Sequence, residues 1–366
     1  MPRKPIRYAV AGLGYIAQSA MLPAFAHARR NSRLTALISS DREKLEQLGE
    51  RYGVTTRGGY DEYERCLEDA DAVYIATPNS EHADLAVRAA AQGKHVLCEK
   101  PLAVTDAECD RIIRACRDHR VKLMTAYRLH FEPLSLEILG RVRRGDLGDL
   151  RYFTSSFSMQ AIPGNIRTRH ATGGGTLYDL GVYCINAARL LFAAEPTQVF
   201  AYSIAGARSD MPEVDDTTAA VLHFSGDRLA TFTTSFAAAP ASTYHVVGTK
   251  GSIRADPAYA YAEPLAYTFE SGDRTERRKG RKVDQFAAEL LYFSKCIQTD
   301  TAPEPSGEEG AWEVRIVDAL YESARRGEPI ALRRVGREPG PVRSQATAEP
   351  PIRNEPDLVH ADPPHD

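Results

Sequence analysis

A glycine motif near the start of the chain has the spacing of a phosphate-binding loop. Gly12, Gly14 and Ala17 form a G-x-G-x-x-A between an apolar run and a helical pattern. In such a loop the first glycine permits a tight turn, the second lets a pyrophosphate approach the backbone, and the small third residue allows close helix packing. The free N–H groups at the helix start, near Tyr15 and Ile16, would face the phosphates. The motif therefore predicts dinucleotide binding.

The residues after the next apolar run indicate which dinucleotide is preferred. Enzymes that use NAD usually place an acid at the end of this second strand, where it bonds the ribose 2′-hydroxyl. Ser39 and Ser40 stand there instead, and Arg42 and Lys44 follow closely. Small hydroxyls beside two cations suit a 2′-phosphate, so we expect NADP, with NAD as the alternative cofactor.

Two other interpretations of the same residues stay open. Ser40 and Glu43 have the spacing of a capping box, in which case Arg42 and Lys44 would only point into solvent. Asp41 is also placed where it could serve as the ribose acid of an NAD enzyme. The absence of an acid at the strand end itself favours NADP over both.

The first 130 residues alternate between short apolar runs and helical patterns. Strands are predicted at 7–12, 33–39, 71–77, 95–99 and 121–126, and helices at 16–30, 41–52, 81–92 and 106–120. Such alternation predicts an α/β fold with a parallel, doubly wound sheet, whose ligands lie at the carboxyl ends of the strands. We assign 1–130 as a Rossmann dinucleotide-binding domain.

Beyond residue 132 the pattern changes to longer strands. They are predicted at 150–159, 198–204, 217–224, 229–236, 244–248 and 265–270, with helices at 133–144, 283–298 and 308–326. The strands have one apolar face and one face rich in Ser, Thr and Ala, which predicts a large, mostly antiparallel sheet. We assign 131–336 as an α+β domain for substrate binding and oligomerisation, and the proline-rich 337–366 as a disordered tail.

Composition excludes several classes of protein. With 46 Lys and Arg against 49 Asp and Glu, the net charge is −3, which gives no field for nucleic acid or an anionic membrane. The basic segment 274–282 (RTERRKGRK) is best explained as a solvated hairpin loop, with a polyanion site as the alternative. Six scattered cysteines indicate reduced core residues of a cytoplasmic protein. No leader and no apolar stretch of membrane-spanning length is recognised.

Three further segments make the chain resemble a known enzyme family. They are Thr77-Pro78-Asn79 with His82, Glu99-Lys100-Pro101, and 173–186 (GGGTLYDLGVYCIN). In this order they resemble the glucose–fructose oxidoreductase / inositol dehydrogenase / rhizopine-catabolism (Gfo/Idh/MocA) family over residues 6–332, including 305–310 (PSGEEG). Tyr127-Arg128 with His130 and Pro133 is similar to the subgroup of glucose–fructose oxidoreductase and aldose dehydrogenases, as is Tyr183.

The resemblance implies an NADP-dependent enzyme that moves hydride between the nicotinamide and a hydroxyl or the anomeric carbon of a sugar, such as glucose or xylose. It implies catalytic roles for Lys100, Asp179 and Tyr183. The further candidates are Thr77, Pro78, Asn79, His82, Glu99 and Lys100 for the cofactor, and Tyr127, Arg128, Arg167, His170, Asp179 and Tyr183 for the substrate. The alternative for Arg167 and for His170 is a surface-loop residue without a substrate contact. Two departures, Asn186 for Asp and Ile166-Arg167 for Trp-Arg, lie where the substrate would be recognised.

Physical chemistry gives the three catalytic candidates different roles. A free tyrosine has a pKa near ~10, and a neighbouring ammonium group favours the phenolate. We therefore expect Tyr183 to be the base, Lys100 to tune it and hold the reacting oxygen, and Asp179 to orient substrate and lysine. Asp179 and Tyr183 are four residues apart on one predicted helix, so they share a face. His82 is expected to brace its loop, and no spacing suits a metal site.

Two rival functions remain beside a cofactor-releasing dehydrogenase. The first is transhydrogenation between two sugars with tightly held NADP, as in glucose–fructose oxidoreductase. The second is a sugar-sensing regulator without turnover, which retention of Lys100, Asp179 and Tyr183 disfavours. For any of these we expect a homodimer or homotetramer, formed through the Ser-, Thr- and Ala-rich face of the second sheet.

Overall fold

A computed structural model describes residues 4–206, 210–211, 213–333, 337, 339–352 and 356–363. The chain divides into two compact units. The first holds the chain up to Phe131 together with Val283–Ala311 and Thr347–Pro363, and the second holds Glu132–Lys282 and Trp312–Ala346. Among the described residues, none of the helices combines the length and apolar character that crossing a membrane requires.

The first unit is built on six parallel strands. They are β1 (Ile6–Ala11), β2 (Ser32–Ile38), β3 (Thr56–Gly58), β4 (Ala72–Ile75), β5 (His95–Glu99) and β6 (Leu123–Ala126). The order β3-β2-β1-β4-β5-β6 reverses direction between β1 and β4, which creates the crevice where such sheets bind ligands. The predicted doubly wound fold is confirmed. The short strand β3 was not predicted, because its three residues carry no apolar run.

Apart from the short helix Tyr63–Leu67, which was not predicted, the helices follow the predicted pattern with shifted ends. They are α1 (Leu22–Ala24), α2 (Arg42–Tyr52), α3 (Tyr63–Leu67), α4 (His82–Ala91), α5 (Asp106–Asp118), α6 (Pro133–Arg143), α7 (Val182–Phe192), α8 (Gln285–Thr299) and α9 (Gly307–Arg326). The helix predicted at 16–30 is a π-helical turn, Ala17–Met21, continued by α1. It ends early because the next N–H groups bond three residues back, as His27 does to Ala24.

Helix α8 belongs to the first unit, although its residues fall within the predicted second domain. The Ser294 hydroxyl on α8 lies 2.8 Å from the hydroxyl of Tyr8, a fully buried residue of β1. At the start of α8, Asp284 caps the helix through the Ala287 N–H and pairs with His27 at 2.7 Å. The sequence pattern reveals the apolar face of a helix but not which of two sheets it covers.

The second unit is built on nine strands. They are β7 (Leu150–Gln160), β8 (Pro196–Ala205), β9 (Asp215–Phe224), β10 (Arg228–Ser235), β11 (Ala237–Gly248), β12 (Ser252–Ala255), β13 (Ala266–Ser271), β14 (Arg274–Lys279) and β15 (Ile330–Ala331). Their order is β14-β13-β12-β11-β7-β10-β9-β8-β15. Neighbours run antiparallel except β7 and β10, which confirms the predicted mostly antiparallel sheet.

The basic segment 274–282 differs from the solvated loop that was predicted. Arg274–Lys279 forms the edge strand β14, which pairs with β13 from Ser271↔Arg274 to Ala266↔Lys279. The alternating pattern was obscured because β14 is exposed along nearly its whole length. Charged side chains on an edge strand discourage pairing with a further strand, which is a sufficient reason for the basic composition.

The C-terminal segment also differs from the disordered tail that was predicted. Its residues 334–336, 338, 353–355 and 364–366 lie outside the described residues. In the described part, Glu349 accepts from Arg30 at 3.0 Å, and Val359 is buried. The many prolines and the scarcity of large apolar side chains predicted disorder. Such a composition does not reveal single buried apolar side chains or specific polar pairs.

Candidate active site

The glycine loop connects β1 to the π-helical turn Ala17–Met21. Gly12 has a φ of +90°, and a Cβ there would lie 2.5 Å from the backbone of Ala76, just beyond β4. Only glycine fits this close approach. A Cβ on Gly14 would meet nothing within 4 Å, so open space lies beside the loop. The loop therefore has the room that a pyrophosphate needs at the start of a helix.

The end of β2 settles how the next helix is capped. Asp41, not Ser40, is the cap: its Oδ1 accepts from the N–H groups of Glu43 at 3.0 Å and Lys44 at 3.1 Å. The Ser39 hydroxyl accepts from the Asp41 N–H at 3.1 Å, while Ser40 is exposed. The alternative of a capping box on Ser40 is wrong by one residue. Because Asp41 Oδ1 already accepts from the helix N–H groups, Asp41 is less available to bond the ribose hydroxyl of NAD.

The two cations at this edge differ in their surroundings. The Arg42 side chain is 91% exposed and pairs with Glu46 at 3.0 Å, one turn along α2. Lys44 is half-buried at the same end of α2. An exposed i,i+4 pair holds its partners weakly, so Arg42 remains able to turn toward a ligand. Both residues remain candidates for a 2′-phosphate, with Lys44 the better placed.

His82 joins the two loops that carry the family motifs of the first unit. The side chain is fully buried, with Nδ1 2.9 Å from the carbonyl of Pro101 and Nε2 3.1 Å from the carbonyl of Thr77. Burial lowers the pKa of His82, so the ring is neutral and one nitrogen donates to a carbonyl. A neutral, fully buried ring that donates one hydrogen bond to these loops supports the bracing role over a catalytic one.

Thr77 carries a polar group without a protein partner. Its hydroxyl is buried at the carboxyl end of β4 and makes no hydrogen bond in the structure. Buried hydroxyls are normally satisfied, which points to a bound molecule as the missing partner. Together with the open space at Gly14, this orphaned hydroxyl fits a nucleotide at the switch point between β1 and β4.

Lys100 immediately follows β5, and its backbone is fixed by a carboxylate. Its N–H donates to Glu99 Oε2 at 3.2 Å, while Glu99 Oε1 accepts from the buried Tyr74 hydroxyl at 2.6 Å. The side chain of Lys100 is half-buried. Glu99 therefore helps to fix the backbone of Lys100, and the cofactor contact expected of Glu99 stays a prediction.

A second acid lies deeper in the same unit. Glu289 of α8 is fully buried, and both carboxyl oxygens lack a hydrogen-bond partner. Burial, aided by the nearby Glu99, raises the pKa of Glu289 well above its ordinary value, and Arg128 opposes the rise. Burial likewise raises the pKa of Glu99. The raised pKa favours the protonated form of Glu289. Sequence periodicity gave no sign that this helix carries an acid inward.

The residues expected to read substrate in the first unit are buried. Arg128 donates to Gln285 Oε1 at 2.7 Å, and the Tyr127 ring stacks on His130 with centroids 5.5 Å apart. His130 Nδ1 in turn lies 2.8 Å from Glu304 Oε1. These contacts give Arg128 and Tyr127 a packing role beside the strand ends, and their substrate contacts remain a prediction.

In the second unit, Asp179 pairs with Arg167. Arg167 Nε donates to Asp179 Oδ2 at 2.8 Å, and both side chains are largely buried. Sequence analysis gave both as candidates but did not predict that they bond each other. The pair explains how an acid in an apolar helix is accommodated, since a largely buried carboxylate needs a partner.

The helix that carries Asp179 and Tyr183 is not uniform, which corrects the predicted spacing. Leu177–Gly181 is a π-helical turn, in which Val182 N–H bonds the carbonyl of Leu177, and α7 begins only afterward. Asp179 lies in the π turn and Tyr183 in α7. The simple i,i+4 face of an α-helix therefore does not apply, and π turns are frequent at functional sites.

Two glycines of the G-G-G motif allow the Arg167 loop to close on this turn. A Cβ on Gly174 would lie 2.3 Å from the carbonyl oxygen of Arg167. Gly175 has a φ of +131°, and a Cβ there would lie 2.4 Å from the Tyr321 hydroxyl. The next residue, Thr176, donates from its N–H to buried Asp215 at 3.2 Å, which also accepts from the Tyr321 hydroxyl at 2.8 Å.

Aromatic packing fixes the ring of Tyr183. Phe157 of β7 meets it edge-on with centroids 5.4 Å apart, and Tyr259 lies at 5.9 Å. The Tyr259 hydroxyl lies 2.7 Å from the Ser155 hydroxyl, which holds this second ring in place. No motif in the sequence marked Phe157 or Tyr259. His170, by contrast, is exposed in a 3₁₀ turn, His170–Thr172.

The far end of α7 is anchored by buried charges. Arg189 is fully buried and donates to both oxygens of Glu195, at 2.6 and 2.8 Å. Glu313 of α9 lies 3.4 Å from the same guanidinium, and Arg337 donates to Glu195 at 2.9 Å. Removing one member would leave a buried charge uncompensated, so this cluster holds α7 in one position. No metal-binding group of three or more His, Cys, Asp or Glu occurs in the described part of the chain.

Comparisons with known proteins extend this picture. Residues 6–127 match the model of an oxidoreductase family with an NAD-binding Rossmann fold, and residues 136–254 match a GFO/IDH/MocA C-terminal domain. A D-xylose 1-dehydrogenase [NADP(+)] from Haloarcula marismortui is 30% identical over 90% of this chain and 93% of its own length.

Two solved structures are similar over most of the chain. The crystal structure of an aldose-aldose oxidoreductase from Caulobacter crescentus, complexed with glycerol, has a TM-score of 0.86 and 36% identity, covering 90% of this chain and 100% of that one. A 3-ketoreductase from Actinomadura kijaniata, in complex with NADP and TDP-benzene, has a TM-score of 0.80 and 29% identity, covering 87% and 98%.

Proposed function

The chain belongs to the GFO/IDH/MocA family of oxidoreductases, and we propose that it oxidises or reduces an aldose at its anomeric carbon. It is an NADP-dependent sugar oxidoreductase, as are its relatives that act on D-xylose. The presence of Lys100, Asp179 and Tyr183 together, with Asp179 held by Arg167 at 2.8 Å, supports catalysis. The aldose assignment is supported by the likeness to a D-xylose dehydrogenase and to an aldose-aldose oxidoreductase. NADP, when bound, supplies the hydride acceptor or donor.

The chain's own groups would handle the proton. In the oxidation direction Tyr183, as phenolate, would accept the proton of the C1 hydroxyl, and NADP would supply the acceptor for the hydride from C1. Lys100 holds the same oxygen through its ammonium and favours the phenolate. Asp179 and Arg167 orient the sugar hydroxyls. The G-x-G loop, Thr77 and the loop 78–79 would hold the dinucleotide, and Lys44 with Arg42 its 2′-phosphate.

A screen of aldoses and polyols with NADP and with NAD tests the assignment directly. The absorbance of the reduced nicotinamide should rise with at least one aldose and NADP, and more slowly with NAD. Substrates that lack a free anomeric hydroxyl serve as controls. If the protein binds NADP but turns over no sugar in either direction, the proposed function is wrong. That result would favour the alternative of a sugar-sensing regulator without turnover.

Transhydrogenation between two sugars is the second candidate. The likeness to an aldose-aldose oxidoreductase at 36% identity favours it. Such an enzyme keeps its cofactor between half-reactions, whereas a dehydrogenase releases it. NADP that survives extensive dialysis, together with reduction of one sugar when another is added, would select this candidate. We place either activity in the cytoplasm, since all six cysteines are buried free thiols.

The cofactor preference gives the first prediction. Lys44→Ala should raise KM for NADP about tenfold, while KM for NAD stays nearly constant, because only the phosphate contact is lost. Arg42→Ala should act in the same direction but less, since this residue is exposed and paired with Glu46. Lys295→Ala, at an exposed lysine of α8, is the control. Equal changes in KM for NADP and for NAD would show that Lys44 and Arg42 make no contact with the 2′-phosphate.

The open face of the second sheet gives the prediction on assembly. Tyr152 on β7 lies beside Leu229 on β10, and Tyr202 on β8 lies beside Ala219 on β9. Tyr202 is 71% exposed, and its large apolar neighbours on this face are exposed as well. A face with this much uncovered apolar surface suits a second copy of the chain. We therefore propose a homodimer or homotetramer formed through this face.

Sedimentation at micromolar concentration should show a species of at least twice the 40.3 kDa chain mass. The double variant Tyr202→Glu/Leu229→Glu should dissociate it, because like charges would be buried against each other. Arg274→Glu, on the edge strand β14, is the control and should leave the assembly intact. A wild-type protein that sediments only as a monomer would contradict the proposal.

A further inference from the structure

The C-terminal segment 356–363 is fastened to the glycine loop by specific hydrogen bonds. Gln18, on the π-helical turn after the loop, accepts from the Val359 N–H at 2.8 Å and donates to the Val359 carbonyl at 2.9 Å. The same Gln18 amide donates to the carbonyl of Leu13 at 2.8 Å. Gln18 is 1% exposed, and Val359 is buried as well. A reciprocal, buried pair of this kind defines one position for the segment.

The next residue reaches the end of β2. His360 Nδ1 lies 2.8 Å from Asp41 Oδ2, and Nε2 lies 3.3 Å from Glu43 Oε2. Its φ of +45° lies in the left-handed region, which residues other than glycine adopt only when their surroundings hold them there. Three residues before His360, the Asp357 carbonyl accepts a hydrogen bond from Arg51 at 2.6 Å, which fastens the segment to the C-terminal end of α2.

We propose that residues 356–363 form part of the NADP site, in which His360 provides a cation for the 2′-phosphate and keeps the carboxylate of Asp41 paired. The proposal deepens the proposed function and rests on it, since it concerns the same cofactor. It assigns a binding residue to a part of the chain that carries no nucleotide motif.

The charges at this edge explain why such a residue is needed. Asp41 and Glu43 stand beside Lys44 where a 2′-phosphate would arrive, and two unpaired carboxylates would repel it. With one Asp41 oxygen on the helix N–H groups and the other on His360, that carboxylate is fully engaged. A cation that binds the acid and remains 55% exposed can also meet the phosphate.

The protonation of His360 follows from the groups that face it. The carboxylates of Asp41 and Glu43 raise the pKa of His360, while Lys44 opposes them. The raised pKa favours the imidazolium form of His360, and its charge is lost as the pH rises through that pKa. The reciprocal effect lowers the pKa of Asp41. NADP affinity should therefore weaken at alkaline pH, whereas NAD affinity should not.

Calorimetric titration of the apo protein with NADP and with NAD tests the proposal without turnover. His360→Ala should weaken NADP binding about tenfold at pH 7 and leave NAD binding nearly unchanged. The wild-type preference for NADP should shrink between pH 7 and 9, and that pH dependence should be absent in the variant. His119→Ala, at an exposed histidine that ends α5, is the matched control.

A chain that ends at residue 346 provides the second variant, and adenosine 2′,5′-bisphosphate against AMP provides a probe of the phosphate alone. In the truncated chain, adenosine 2′,5′-bisphosphate should no longer bind more tightly than AMP. Thermal melting verifies that the truncated chain still folds. If wild type binds neither dinucleotide, the proposed function fails. If wild type binds NADP and both variants bind it equally well, only the role of His360 fails. Tighter binding after truncation would show that the segment covers the site instead.

Discussion

Replacing Lys100 with Met should lower kcat by on the order of 1,000-fold while the affinity for NADP changes only a few-fold. That loss corresponds to about 4 kcal/mol of transition-state stabilisation. The lysine follows β5 rather than the glycine loop, so we expect its ammonium not to hold the pyrophosphate. Methionine keeps an unbranched side chain, one atom shorter, and removes the charge and the N–H donors.

The residual activity of this variant should rise toward high pH. Without the ammonium, the deprotonated base loses the positive charge that favours it, so we expect that form to be available only in alkaline solution. Initial rates over pH 6 to about 10 and dinucleotide titration measure the two halves of the prediction. Lys295→Met is the control, because this lysine of α8 is exposed. Loss of NADP binding in Lys100→Met would instead make the lysine a cofactor ligand.

Tyr183→Phe should be comparably damaging, with kcat reduced by on the order of 1,000-fold and no recovery at high pH. The variant keeps the ring that packs against Phe157 and Tyr259, so it should fold and bind NADP as wild type does. Only the hydroxyl that would accept the proton is lost. Steady-state rates and a melting curve for each variant separate lost chemistry from lost structure.

Tyr178→Phe is the matched control for Tyr183→Phe. It removes the same atom from the same helical segment, where the Tyr178 hydroxyl donates to Asp318 at 3.2 Å. We expect near-normal rates and at most a modest loss of thermal stability, of about 1 kcal/mol. If Tyr183→Phe retains wild-type rates, the base is another group, and His170 is the next candidate to replace.

The features that sequence could predict share one property: they depend on local patterns. Alternating apolar runs are enough to predict the parallel sheet, and the G-x-G-x-x-A spacing places the loop between β1 and the first helical turn. The acid and the lysine were recognised because their motifs are contiguous in the chain. A residue that must end a buried strand, as Lys100 does, is constrained by its immediate neighbours.

The features that sequence missed depend on contacts between distant residues. The pairing of Gln18 with Val359 spans 341 positions, and the residues around neither of them predict it. The same is true of His360 with Asp41 and of Tyr259 with Ser155. The π-helical turn at Asp179 was missed for another reason: its hydrogen bonds shift by one residue, which leaves the apolar pattern almost unaltered.

The late return of α8 to the first unit bears on how the protein is made. During synthesis the strands of the parallel sheet emerge first, but the Ser294 hydroxyl that meets Tyr8 and Ser32 is added only after most of the second unit has left the ribosome. Until then the surface at Tyr8 and Ser32 that α8 covers stays exposed, and transiently exposed apolar surface makes folding chains prone to aggregation. A polypeptide that ends at residue 131 would lack α8 permanently, so the nucleotide-binding half is best produced within the full-length polypeptide.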